Sequence, residues 1–278
     1  MSRADFPSLT LSEWQGTRDT LQGYCRLMSA IRRESSPRQR HWSHVSLRVV
    51  PEGLITTPIP SRSGTFGLRL DLVHDKLRIL TSGGQSLELP VEGQSLAQFH
   101  SEVMAALRGL EVASEVEAEA FSDRSSGEWD SAAIGRYRQA LVQIDAVLKA
   151  FKGEQRQETS PVQLFPHHFD LALTWFSGRQ VPGQEAKGEE SSDEQMTFGF
   201  VTGDEAVAEP YFYATAYPEP EGFIGSSLPD GAYWSEDGFS GAVLPYATLE
   251  HVDEPCLLYT SDAATMSTTC RSRGGGGP

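Results

Sequence analysis

The chain has 278 residues, 38% of them hydrophobic and 22% charged, with a formal net charge of −15. That profile is that of a globular chain of one large domain or two small ones, and it excludes a fibrous or wholly disordered one. No run approaches the ~20 apolar residues of a membrane span, and "MSRADFPSLTLSEW" lacks a basic start followed by an apolar stretch, so a cytoplasmic chain with no membrane partner is expected.

The charge is uneven. Residues 188–255 contain fifteen acidic residues and no Lys or Arg. Nucleic-acid binding depends on cationic contacts to phosphate, so no nucleic-acid partner is expected. Such a segment serves solubility or faces a protein partner that the sequence does not identify. The last 23 residues, "CLLYTSDAATMSTTCRSRGGGGP", resemble a translated transposase-type sequencing adaptor. Residues 256–278 are therefore expected to be a non-native disordered tail, with the true C-terminus lying beyond about Pro255. Setting Cys256 and Cys270 aside leaves Cys25 alone, which supports neither a disulfide framework nor a cysteine-rich zinc site. Cys25 reads as a small core residue in a reducing compartment.

In chain order, the first helix is expected over 11–34. Thr10 with Glu13 and Ser12 with Gln15 have capping-box spacing, and Trp14, Leu21, Cys25, Met28 and Ile31 form one stripe. Arg32, Arg33, Arg38 and Arg40 follow; they complement the helix C-terminus or hold a phosphate or carboxylate. "HVSLRVV" and "LITTPI" read as a hairpin around Pro51-Glu52-Gly53, "FGLRLDLV" and "KLRIL" as a second around His74-Asp75, and "SLELPV" as the next strand. A second helix starts at Ser95 and presents Leu96, Phe99, Val103, Leu107 and Leu110. "EVASEVEAEAF" alternates apolar and acidic residues as a half-exposed strand would. The third helix, Asp130 to about Lys152, carries Ile134, Tyr137, Leu141, Ile144, Leu148 and Phe151 three and four apart. Strands are then expected near 162–165, 168–176, 196–201, 210–217 and 239–244, with a charged low-complexity loop over 181–195.

Several groupings bear on chemistry. His41 and His44 lie three apart, so on one strand they face opposite sides and share a metal only if His41 is in the preceding loop. In "PHHFDLALTWF", strand parity puts Phe169, Leu171, Leu173 and Trp175 on a core face, and His168, Asp170, Ala172 and Thr174 on the other. An Asp two residues from a His on one face can fix the imidazole tautomer. The same parity sets His44, Ser46 and Arg48 together. If the polar faces meet, His44, His168 and Asp170 form a catalytic group with Arg48 and Tyr213 binding ligand; otherwise the faces are solvated. Tyr211, Tyr213 and Tyr217 form an aromatic stripe that packs a sheet or stacks a ring. Glu219 and Glu221 are a carboxylate pair in a Pro-rich turn. There is no Walker loop, no G-x-G-x-x-G, no H-E-x-x-H and no G-x-S-x-G.

Blocks of the chain, "HWSHVSLRV", "GLITTPIP", "SPVQLF..FDLA.TWFSGR", "YATAYPEPEGF" and "LPY" in that order, resemble an uncharacterised bacterial family, a domain of unknown function of roughly 300 residues. The likeness runs from Trp14 to about Tyr246. It implies no activity, and a C-terminal helix beyond "LPY". That family reads Gly-Ser where this chain has His167 and His168, so it implies no shared role for them.

The expected fold is α+β, mainly antiparallel sheet with three long helices, in two similarly built halves, 1–125 and 126–255, packed as one unit. The expected function is binding of a small molecule, anionic or neutral, with or without catalysis, in a His/Asp-lined cleft between the halves. The alternative is a non-catalytic interaction module using the acidic segment. The sequence specifies no cofactor and no metal.

Overall fold

The computed structural model describes residues 6–184, 192–204, 207–236 and 239–251; the tail expected over 256–278 lies outside the described residues. They form three α-helices and two antiparallel sheets of six strands each, an α+β fold. The chain divides into two compact units, one of residues 12–142 and 163–169, the other of residues 6–11, 143–162 and the described residues from Asp170 onward.

In the first unit, α1 (Gln15–Ser35) buries Leu21, Cys25, Met28 and Ile31 at helical spacing. Its N-cap is Trp14, with no side-chain cap bond, and a short 3-10 turn, Leu11–Glu13, precedes it and contains Ser12 and Glu13. The helix stops one residue short of Ser36, which precedes Pro37 and is extended at φ −96°, ψ 142°, as the proline ring demands. Cys25 is free and fully buried, and burial pushes its thiol well above the usual range, as suits a core residue rather than a nucleophile.

Six strands follow: β1 (Arg48–Val50), β2 (Gly53–Ile55), β3 (Ile59–Ser61), β4 (Gly64–Asp71), β5 (Lys76–Thr81) and β6 (Ser86–Pro90). Their order is β1-β2-β4-β5-β6, with β3 also on β4. Phe66, Leu68 and Leu70 of β4 and Leu77 and Ile79 of β5 are buried at every second position, the signature of a sheet with one covered face. Gly53, at φ 152°, is required at the first hairpin, since a Cβ there would lie 2.3 Å from the Leu70 carbonyl oxygen.

Helix α2 (Leu96–Gly109) is capped by Ser95, whose hydroxyl accepts from the Gln98 amide at 3.2 Å. The Gln98 side chain donates to Glu102 instead of returning to the cap. Tyr24 of α1 and Phe99 of α2 pack at 3.9 Å between ring centroids. No strand forms over 111–121, contrary to the alternation there. That segment runs beside α2, with His100 Nε2 3.0 Å from the Val116 carbonyl oxygen, and closes in a 3-10 turn at Ala118–Phe121. Alternation without a partner strand leaves no ladder to form.

Helix α3 (Ser131–Glu154) starts where the Asp130 carboxylate accepts from the amides of Ala132 and Ala133. Ile134, Tyr137 and Leu141 are buried in the first unit, and Ile144, Leu148 and Phe151 in the second; each such side chain contributes about 1.5–3 kcal/mol. Strand β7 (Gln163–Phe165) bridges Leu47 through Leu164.

The second unit contains β8 (Asp170–Gln180), β9 (Asp193–Val201), β10 (Tyr211–Tyr217), β11 (Tyr233–Ser235) and β12 (Gly241–Pro245), ordered β11-β12-β10-β9-β8. Residues 193–195, expected in the charged loop, belong to β9; residues 185–191 of that loop lie outside the described residues. Both faces of β8 are covered over its first half: Leu171, Leu173 and Trp175 are buried, and so are Asp170 and Ala172. Phe198 takes the Phe151 ring edge-on at 4.9 Å. On the opposite face, Tyr211, Tyr213 and Phe239 contact one another.

Candidate functional site

The register of β8 against β9 is regular from Asp170↔Val201 to Phe176↔Gln195, then jumps to Gln180↔Asp193. Three residues, Ser177, Gly178 and Arg179, thus stand opposite Glu194 alone. Gly178 makes the bulge possible with φ 82°. The bulge aims Arg179 at Glu194: its Nε donates to one carboxylate oxygen at 2.9 Å and its Nη2 to the other, a two-pronged pair.

Beside this pair lies a pocket of about 370 Å³. Trp175, Met196 and Ala216, cross-strand neighbours on β8, β9 and β10, contribute one side; Tyr217, Pro218, Glu219 and Pro220 contribute another. Glu219 is held by the Ser240 hydroxyl, which donates to its carboxylate. The buried indole N–H of Trp175 has no acceptor among the described residues. An apolar surface with a few converging polar groups is the usual composition of a small-molecule site, and the volume falls in the range of such sites.

On the face bearing Asp170, the Tyr213 hydroxyl donates to Asp170 Oδ2 at 2.6 Å and the Tyr211 hydroxyl to Asp204 Oδ2 at 2.7 Å. Tyr213 reaches across β9 only because position 199 is glycine: a Cβ there would lie 2.6 Å from its ring. Burial first, and the Asp204 carboxylate second, hold the Tyr211 phenol above its usual range. These are neutral phenols donating to carboxylates, a structural use of the tyrosine stripe.

The other anticipated residues take different places. His168 is exposed, in a turn over 166–169 where Phe169 has φ 55°, so the strand begins at Asp170 and strand parity does not extend to His168. The turn is tied down by Gln22, whose amide donates to the carbonyls of Pro166 and His167. His168 meets the His167 ring at 4.8 Å. His44 also precedes its strand, in a turn after His41 and Trp42, both with left-handed φ. It is buried, accepts from the Gln39 amide at 3.3 Å and stacks on Trp42. Burial, then the Arg32 charge, lowers its pKa. No hydrogen bond or ring contact joins His44 to His168. Arg48 opens β1, half-buried. Of the anticipated group, a hydrogen bond joins Asp170 to Tyr213.

An Asp that fixes an imidazole does occur, at the β4–β5 turn. Buried Asp71 places Oδ2 2.9 Å from His74 Nδ1 and accepts the Val73 and His74 amides through Oδ1. Burial raises the Asp71 carboxyl, but those three hydrogen bonds outweigh it and hold the group below its ordinary range. His74 borders a second concavity of about 410 Å³ with Asp75, Lys76, Trp129 and Ser131 among its lining. The D-x-x-H spacing was visible in "DLVHD", but so short a pattern is also a common turn. The Arg179–Glu194 pair was hidden more deeply. Its signal was Gly178 within a strand, which marks a bulge without saying what it faces.

Among the described residues, no group of three His, Cys, Asp or Glu side chains is placed to hold a metal ion, and no helix is long and apolar enough to cross a membrane. Neither the curated proteins nor the solved structures contain a match to this chain. A family model does match, over residues 6–260. The chain therefore belongs to the family of unknown function DUF5996.

Proposed function

We propose that the chain is a small-molecule binding protein whose ligand occupies the pocket beside the β8 bulge. The observation that carries this reading is convergence. Arg179 of "FSGR" and Ala216 to Pro220 of "AYPEPEGF", two of the blocks by which the sequence resembles its family, line one cavity. Met196, Ala216 and the prolines suit an apolar ligand body. The Arg179–Glu194 pair suits a polar end with both acceptor and donor, because the guanidinium is already neutralised by its carboxylate. His44, His168 and Asp170 have no part in this reading, and neither has any reaction.

The test is ligand-observed NMR with a metabolite-like fragment library, using the parent chain, Glu194→Gln and Tyr217→Ala. Fragments that contact the parent and lose at least about tenfold in affinity in both variants support the site, since a lost charge-assisted hydrogen bond in Glu194→Gln, or a lost ring contact in Tyr217→Ala, is worth roughly that much. Hits that bind all three chains equally place the ligand elsewhere. A parent that meets no fragment favours the acidic segment as a partner surface.

A further inference from the structure

Arg32 is 2% exposed, yet no carboxylate of the described residues pairs with it. Its Nη1 donates to the Ser46 carbonyl and its Nη2 to Thr57 Oγ1 at 2.6 Å, while Nε is buried without an acceptor. Neutral acceptors satisfy some of its N–H groups but leave its full charge in a desolvated place, a situation proteins resolve by pairing the ion.

The surroundings add positive charge. Arg48 is close enough to Arg32 that, after burial, it is the next cause lowering the Arg32 pKa, to about 10. Arg32, Arg38 and Arg33 all act on buried His44 in the same direction. Trp42, stacked on His44, has the Arg33 and Arg38 guanidinium groups 5.8 and 5.4 Å from its ring centre.

The backbone here is also unusual. His41 and Trp42 are consecutive non-glycine residues at φ 50° and 56°. Such a conformation is strained for a residue with a side chain and persists only where the surroundings enforce it, as they do at ligand clamps and active sites.

We propose that this cluster is a binding site for a small oxyanion, a phosphate or carboxylate group, anchored by buried Arg32 and completed by Arg48 and His44. The oxyanion supplies the counter-charge that Arg32 lacks. Guanidinium forks suit the planar or tetrahedral oxygens of such a group. This site is independent of the pocket beside Arg179 and stands or falls separately.

The experiment compares the thermal midpoint of the full chain in sodium phosphate, sodium acetate and sodium chloride at matched ionic strength and pH 7. It includes Arg48→Gln and Arg32→Lys. Phosphate or acetate at tenfold its dissociation constant is expected to raise the parent midpoint by about 3 °C beyond chloride. The variant Arg48→Gln, which leaves the core side chains in place, should lose most of that shift. A response to phosphate alone assigns a phosphoryl group, and a response to both assigns a general oxyanion. Equal midpoints in all three salts, or an Arg48→Gln chain that responds as the parent does, overturn the proposal. Should Arg32→Lys fail to fold, line broadening of the phosphate ³¹P signal by the parent but not by Arg48→Gln decides the matter.

Discussion

Arg32 and Arg179 carry the same guanidinium into opposite surroundings. Arg179 has a side chain 51% exposed and is matched by Glu194 through two prongs. Arg32 is buried among neutral acceptors, with further cations around it. The exposed pair sits where water already screens it, so its worth lies in orientation: it presents a fixed polar edge to a pocket. The buried arginine has no such screening, and its charge dominates its neighbourhood. Counting arginines would treat the two alike; burial and partner separate them.

Truncation is the most forceful way to test that contrast. Arg32→Ala is expected to cost about 3 kcal/mol, from the cavity left in the first unit and from the Ser46 carbonyl and Thr57 hydroxyl losing their donors. Arg179→Ala should cost about 0–1 kcal/mol. Urea midpoints of the two variants check this, and comparable losses would erase the distinction.

A smaller effect probes the second unit away from either arginine. Gly199→Ala should destabilise by about 1–3 kcal/mol, because the added methyl displaces Tyr213 and breaks its bond to Asp170. Tyr213→Ala in the same background should make the added methyl nearly harmless, and a double-mutant cycle shows whether it does.

The gentlest probe is pH. His44 has a folded pKa below its ordinary value, through burial and then the Arg32 charge. The unfolded chain therefore takes up the proton first as pH falls. The stability contributed by neutral His44 is fully present above the unfolded pKa of about 6.5 and is lost progressively on descent through the folded pKa. The stability difference between the parent and His44→Gln should narrow from about pH 7.5 to 5. A difference that stays flat would mean that neither burial nor the Arg32 charge shifts His44.

How much of this was legible depended on the range of the interaction. The three helices were readable because apolar residues, such as Leu21 and Cys25 in α1, Phe99 and Val103 in α2, and Leu141, Ile144 and Leu148 in α3, repeat at the period of the helix itself, and their burial requires only a covered face. The β4–β5 hairpin was equally readable, as two alternating runs around His74-Asp75. The run over 111–121 misled because alternation describes a strand only when another strand is beside it, and there the neighbour is α2. At the candidate site, strand parity grouped Asp170 with residues of its own face, and the structure shows the Tyr213 hydroxyl bonded to it. For His168 and His44 the same parity had no purchase, because both lie in turns whose left-handed residues, Phe169, His41 and Trp42, interrupt the extended backbone. An Asp–His pair was sought in "HHFD" and occurs in "DLVHD", where a tight turn brings the third residue back onto the carboxylate.

Composition, periodicity and turn residues by themselves determined an α+β chain of three long helices and antiparallel strands, its acidic segment, and the blocks that mark its family. Each of these rests on residues near one another in the sequence, where hydrophobic period and local sterics act directly. Tertiary structure alone decided that a bulge at Gly178 aims Arg179 at Glu194, that Gly199 lets Tyr213 cross a strand, and that Arg32 is buried with no carboxylate of the described residues beside it. Those outcomes depend on which distant backbone excludes water from a side chain and which distant atom is left to meet it, and no local pattern encodes either.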